Sequence, residues 1–473
     1  MILRLMILIF SLALLIGIGL VTSAATAGEK SAGSVFGEVR WLYQGWNNYF
    51  DLDSNAKDQL AVNWLRSRVG YKTKIGERAF ARITVENLRV FGGDSEVAPL
   101  FWGTPAVDKN VFFNEGENDA IALDVAILGM DDFIFRGVTV WGGRAKYRLG
   151  NQRILGVNDW SMPYELRFDG FGGSYQGDKW WLKLLCLNID ETGLARYGED
   201  GDYLGDTWLR GAYAHWDLSE AFWLEPYLLR LCTAGGQDAD DSVADAFDLS
   251  NSGVWQIGAL FDFVADYGLH LYAEGVFQTG DTRVRAGDAR PYSELKTDVS
   301  AFGCYTGLFF TFDARIQPYV GIEFDYATGS SQEDTDRNKN RTFVSPFGSA
   351  SDYLGRANII DWSNTASWRF AAGLTPTRGL TLEVDVWLFN LAEAQDQAYN
   401  PAAGPISGAR DSAGNYDRSV GTEFDLLAEY TLDRMIAFEG GLTYFDPGKY
   451  FGEATSRPLD AAVMGYLGAK IGF

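Results

Sequence analysis

The stretch TLEVDVWLFN, residues 381–390, alternates strictly: Leu382, Val384, Val386 and Leu388 fall on one face, Thr381, Glu383 and Asp385 on the other. A period of two is the mark of a β-strand, whose successive side chains point to opposite sides. This strand therefore has one oily and one charged face. VGTEFDLLAEY at 420–430 repeats the arrangement, with Phe424, Leu426 and Ala428 opposed to Glu423, Asp425 and Glu429. IQPYVGIEFDYATG at 316–329 does so again, with Val320, Ile322 and Phe324 opposed to Gln317, Glu323 and Asp325.

A soluble sandwich would turn the charged faces to solvent and pack the oily ones on a second sheet. The connections favour another architecture. Tight links such as KIGER (74–78), DYG (266–268), PTRG (376–379) and LDR (432–434) alternate with long ones near 92–117, 150–164, 234–252, 330–363 and 391–418. One end then carries short turns and the other long polar loops, which predicts an all-β, antiparallel up-and-down transmembrane barrel of the outer-membrane kind. About eighteen strands fit between Val35 and Phe473, with sixteen as the alternative count. An even number returns both termini to the short-turn, periplasmic side. Lipid offers no hydrogen-bond partners, so the sheet must close; the polar faces then line a water-filled bore.

The two ends of the chain agree with this. Arg4 precedes the apolar run LMILIFSLALLIGIGL, and ATA at 25–27 is a small-residue cleavage pattern, so residues 1–27 are expected to be a secretory leader removed near Ala27. Residues 28–473 are then a single barrel domain of a Gram-negative outer membrane. The final VMGYLGAKIGF places Val463, Leu467, Ile471 and Phe473 on one face and ends on an aromatic ring. It resembles the terminal strand by which insertion machinery recognises outer-membrane proteins. Outer-membrane lipid is the other expected partner.

Composition excludes several other classes. Phe, Tyr and Trp number 31, 23 and 15, a supply of sheet formers that suits strands with one apolar and one wet face. Cys186, Cys232 and Cys304 sit singly in apparent strands, which suggests neither a disulfide framework nor a metal site. A formal charge of −23 disfavours nucleic acid. Acidic loops such as QDADDSVADAFD (237–248) read as solvated surface, with calcium at Asp238, Asp240 and Asp241 a weaker alternative. No cofactor or metal is expected.

Against that acidic background, GRAKYRLGNQR at 143–153 gathers Arg144, Lys146, Arg148 and Arg153 without a carboxylate. If Ala145, Tyr147 and Leu149 face lipid, then Arg144, Lys146 and Arg148 face the lumen. A charge on the lipid face would cost about 2–4 kcal/mol near the midplane. Arg40, Arg66, Arg68, Arg82, Arg167 and Lys183 add cations at expected lumen positions of the first half. The lumen carboxylates come mostly later: Glu274, Glu323, Asp325, Glu383, Asp385, Glu423, Asp425, Glu429 and Glu439, with Arg369 a cation among them. Because consecutive strands are neighbours, the two groups would form opposite arcs with a field across the bore. The alternative is that Arg and Glu of adjacent strands pair and brace the wall, as Arg66 or Arg68 would with Glu86.

GRAKYRLGNQRILGVNDW (143–160) followed by RFDG (167–170) resembles the signature segment of the alginate-export family of outer-membrane porins. TFVSPFGSASDYLGRANIIDWSN (342–364) resembles that family's long loop, and VGTEFDLLAEY with GLTYFDPGKYF (441–451) resembles its closing strands. The resemblance implies an eighteen-stranded barrel whose cation-rich constriction conducts an anionic polysaccharide out of the periplasm. Carried over by motif, Arg144, Arg153, Asp169, Glu423 and Asp425 would be pore or loop-base residues. One departure stands out: gated exporters of the family carry an extended periplasmic turn before the penultimate strand, whereas TLDRM (431–435) is tight.

Within the long link at 91–119, Phe101, Trp102, Phe112 and Phe113 are candidates for a constriction loop folded over the bore, or for packing at the rim. The expected function is passage of anionic or saccharide solutes, with Trp387 a candidate sugar-stacking ring. The alternatives are a general or differently specific diffusion porin, a lipid hydrolase and a plugged structural barrel. The hydrolase reading is weak, since only His215 and His270 could serve as base and neither has an evident serine partner.

Overall fold

The computed structural model describes residues 33–49, 52, 59–91, 121–157, 159, 165–189, 207–233, 253–283, 296–349, 352–400, 410–455 and 459–473. The expected leader at 1–27, the loop residues Phe101, Trp102, Phe112 and Phe113, and Asp238, Asp240 and Asp241 lie outside the described residues.

The strands are β1 (Ser34–Asn47), β2 (Leu60–Ile75), β3 (Ala79–Phe91), β4 (Ala122–Met130), β5 (Val138–Ala145), β6 (Phe168–Gln176), β7 (Trp180–Ile189), β8 (Thr207–Asp217), β9 (Phe222–Thr233) and β10 (Gly253–Val264). They continue as β11 (Leu269–Arg283), β12 (Lys296–Thr311), β13 (Tyr319–Ala327), β14 (Lys339–Asn340), β15 (Thr365–Thr377), β16 (Leu380–Leu391), β17 (Ser419–Thr431), β18 (Ile436–Pro447) and β19 (Ala462–Gly472). The two-residue β14 lies inside a connection and pairs parallel with β12, while β13 pairs directly with β15. The other eighteen run antiparallel, and β1 pairs with both β2 and β19, so the sheet closes into a barrel without an edge. Gly37 and Phe473 exchange backbone hydrogen bonds of 2.9 and 3.0 Å, which places the start of β1 and the end of β19 on the side of the short turns.

Alternation decides what each face meets. Val384, Leu388, Leu426 and Leu467 are exposed on the outer wall, while Asp385, Glu423, Asp425 and Tyr466 are buried on the inner one. Tight interstrand packing needs glycine in places: at Gly143, with φ +122°, a Cβ would sit 2.0 Å from the carbonyl oxygen of Ala126 on β4.

The bore is partly filled. Residues 146–157, after β5, and 343–349 with 352–362, before β15, fold inward and join each other by a parallel bridge between Leu155 and Phe347. Gly156 donates its backbone N–H to Phe347 at 2.8 Å, and Ser349 donates to Gln152 at 3.1 Å. Leu155, Phe343, Phe347 and Trp362 then bury against wall residues Leu187, Leu209 and Tyr305 in one apolar cluster. Each large apolar side chain buried in this way contributes about 1.5–3 kcal/mol, which holds the segments inside a lumen that a bare barrel would leave wet.

This arrangement corrects one expectation. The strand ends at Ala145, so Tyr147 and Leu149 do not face lipid. Leu149 is buried in the inner cluster, and Tyr147 packs on it while accepting a 2.8 Å hydrogen bond from the Trp141 indole.

Candidate functional site

Deep in the bore, the inner-wall cations Arg40, Arg66 and Arg68 of β1 and β2 are matched by carboxylates. Arg40 donates to Glu439 on β18 at 2.7 Å and to the Asp159 carbonyl at 2.8 Å. Arg66 reaches Glu38 and Glu165 at 2.7 Å and Asp159 at 2.9 Å, and it is wholly buried. Arg68 bonds Glu86 at 2.5 Å and also contacts Glu165, and Arg167 bonds Glu86 at 2.5 Å and Asp124 at 3.1 Å. Lys146 closes the set on Asp124 at 2.5 Å and Glu165 at 2.6 Å. These groups form an ion-pair network that braces the wall. At Asp159 burial alone would raise the carboxyl, but Arg66, Arg40 and Arg68 outweigh it and hold it well below the usual range.

Glu38, Asp159 and Glu165 were not among the residues marked from sequence. Glu38 alternates with Arg40 on β1, a visible clue, whereas the other two lie outside any strand, where period-two reading has no purchase.

The later arc is matched too, in a different way. Arg153, on the inward segment, donates to Glu323 and Asp325 of β13. Its guanidinium lies 3.7 Å from the Tyr305 ring centroid and 4.3 Å from that of Tyr353, and the residue is only 2% exposed. It is a latch between segment and wall, which corrects its assignment as a residue lining the open passage. Arg369 grips Asp385 and Glu383 at 2.9 Å. Glu274 accepts from Tyr227 at 2.5 Å, Glu423 from the Ala357 backbone at 2.9 Å and Asp425 from Thr443 at 2.6 Å. Trp387, 2% exposed and stacked on Phe389, offers no face to a sugar, which corrects that expectation.

Arg144 and Asp169 are also corrected. They pair across β5 and β6 at 2.6 Å, but on the outer face: Asp169 shares its side with exposed Phe171, while the adjacent Phe168 points the other way and is buried in the inner cluster. Both lie near the ends of their strands, at the loop rim, where a charged side chain can reach polar surroundings.

The accessible charge is elsewhere. Arg148 projects from the inward segment with its side chain 57% exposed, 3.9 Å from Asp159. Asp352 and Arg356, on the facing inward segment, lie within the same electrostatic neighbourhood as Arg40, Arg148 and Asp159. This two-signed cluster between the inward segments and β1 is the candidate constriction. Asp352 and Arg356 were missed because they lie outside any strand, where alternation assigns no face. Elsewhere on the wall Lys183 sits 4.5 Å over the Trp181 ring, and Arg82 and Glu429 are exposed on the inner face toward the short-turn end.

Burial, reinforced by Arg68 and opposed by Asp124, pulls the Lys146 ammonium down to about 8. A lysine with a lowered pKa loses its charge as pH rises through that value, leaving Asp124 and Glu165 less compensated. Ion selectivity is therefore expected to shift toward cations between pH 7 and 9, with its midpoint near 8. Reversal potentials across that range check this, and Lys146→Gln is expected to flatten the profile.

Glu86, Asp124 and Glu165 present oxygens within 4.8 Å of one another, close enough to hold a divalent cation. Arg68, Lys146 and Arg167 already occupy them, so the cluster is read as ion pairing. His215 bonds Glu225 at 2.8 Å and Asp217 at 2.9 Å, and His270 bonds Asp262 at 2.8 Å. Their bonded partners are carboxylates on the barrel wall.

A sequence model of the family described as "Alginate export" matches residues 37–464. No curated protein matches. Among solved structures, OccAB1 of Acinetobacter baumannii aligns with a TM-score of 0.59 at 11% identity, over 94% of this chain and 97% of that one. OprD from Pseudomonas aeruginosa aligns at 0.56 and 11%, over 94% of each chain. OccK11 (OpdR) of the same organism aligns at 0.56 and 11%, over 93% and 96%. At such identities the likeness is one of fold.

Proposed function

The chain belongs to the alginate-export family and folds as an outer-membrane barrel channel, and from that premise we propose that it passes small acidic solutes, such as sugar acids or short acidic saccharides. Arg148 carries this reading. Most wall cations are held by carboxylates, whereas Arg148 stands 57% exposed in the constriction, where a passing carboxylate meets it. The inward segments fill part of the bore, which favours short solutes over a bulky polymer. Delivery by the leader at 1–27 and insertion through the Phe473 strand are part of the same reading.

In planar bilayers under a salt gradient the reversal potential is expected to show anion preference. Arg148→Glu is expected to move it toward cations by about 10 mV or more, since it changes two units of charge at an exposed lumen position. A preference for cations in the parent protein would overturn the reading.

A further inference from the structure

The cations nearest the short-turn end behave differently from the rest of the arc. Lys72 on β2 faces Arg82 on β3 directly across the ladder, and Lys74 follows on the same inner face, close to the 76–78 turn. Like charges placed opposite one another destabilise a sheet unless something neutralises them. Deeper in the bore, where Arg40 faces Arg66, the carboxylates Glu439, Glu38, Asp159 and Glu165 do so. Here, among the described residues, no carboxylate lies within ion-pair distance of Lys72, Lys74 or Arg82, and all three are exposed. Glu38, four positions along β1 from Ser34, which faces Lys72, is already shared by Arg66 at 2.7 Å and Lys470 at 3.5 Å.

What holds the pair is Phe36. Its ring lies over Gly70, where a Cβ would sit 2.4 Å from the ring, and it places Arg82 at 4.9 Å and Lys72 at 5.9 Å from the ring centroid. The ring attracts both cations but carries no net charge. The site is thus preorganised, lumen-facing and short of negative charge.

We propose that Lys72, Lys74 and Arg82 form an anion-binding site at the periplasmic mouth, which takes the carboxylate groups of acidic solutes. It concentrates them at the periplasmic entrance before they meet Arg148. This rests on the reading of the bore as an anion path. It adds a direction: the mouth favours anions presented from the periplasm over those arriving from outside.

The test is block of single-channel current by digalacturonate added to one side at a time in 0.1 M KCl. Orientation is assigned with an impermeant thiol reagent on Glu220→Cys, in the periplasmic 218–221 turn. Half-block is expected at roughly fivefold lower concentration from the periplasmic side, and the asymmetry is expected to vanish in 1 M KCl, where charges are screened beyond about 3 Å.

The triple variant Lys72→Gln, Lys74→Gln, Arg82→Gln is expected to abolish the asymmetry while leaving block from outside unchanged. Arg82→Gln alone serves if the triple variant does not assemble, with a partial loss. Arg148→Gln is expected to weaken block from both sides. If channels lacking the three cations keep the full asymmetry, the site is not on the solute path, as would follow if it served an acidic protein partner, and the proposal falls. Cation preference of the open channel would sink the anion-path reading alone, because the sidedness of block still decides whether the mouth binds carboxylates.

Discussion

Replacing Arg153 with methionine is expected to multiply large-conductance openings of the channel by about 10²-fold or more. The guanidinium is the buried tie between the inward 146–157 segment and Glu323 and Asp325 of the wall. Removing one partner of a buried ion pair leaves uncompensated charge and costs about 3–5 kcal/mol. With 1.4 kcal/mol per factor of ten, that shifts the balance between docked and undocked segment by about 10²–10⁴. Methionine keeps an apolar, flexible chain between Tyr305 and Tyr353, so the aromatic packing survives and the electrostatic term is isolated.

Single-channel recordings supply the measurement. Adding Glu323→Gln and Asp325→Asn to Arg153→Met is expected to restore quiet, narrow channels, since no buried charge then remains unmatched. Openings as rare as in the parent, from a barrel with normal heat-modifiable mobility, would show that the apolar contacts alone hold the segment.

The barrel was legible because its cause is local. In β16, Leu382 and Val384 face out and Glu383 and Asp385 face in for reasons contained in ten residues, and the turns between strands recur at one end. The site was less legible because its causes are distant. Arg153 finds its partners 170 and 172 positions later, and no spacing rule connects them.

Arg144 was misassigned through a pattern that outlived its strand. The alternation of GRAKYRLG runs on past Ala145, where the chain leaves the wall, and the bridged residues Leu149 and Leu155 sit inside the bore with apolar surroundings of their own. One clue was available. Phe343, Phe347, Ile359, Ile360 and Trp362 are too apolar for a solvated loop, and they mark the second inward segment. The matching of Arg40, Arg66 and Arg68 by carboxylates favours the bracing alternative weighed from sequence, and it moves the accessible positive charge to Arg148 and to the periplasmic mouth.

Arg66 is where that bracing is most costly to lose. Its guanidinium is fully buried and bonds Glu38 on β1, Asp159 and Glu165, so it ties the β1–β2 pair to the chain that follows the inward segment. Arg66→Met would leave three carboxylates facing one another around an apolar group, with Arg40, Arg68 and Lys146 close by and Arg148, Arg167 and Lys470 at 3.5–3.9 Å to share among them. The expected loss is about 3–5 kcal/mol, read as a fall in the urea midpoint of the barrel in lipid vesicles. Arg82→Gln, which disrupts no ion pair among the described residues, is expected to change that midpoint by less than about 0.5 kcal/mol. Adding Glu165→Gln to Arg66→Met is expected to recover part of the loss, because it removes one of the stranded charges. Equal midpoints for the Arg66 and Arg82 variants would mean that the network is solvated in the working channel, and the bracing role assigned to it would be wrong.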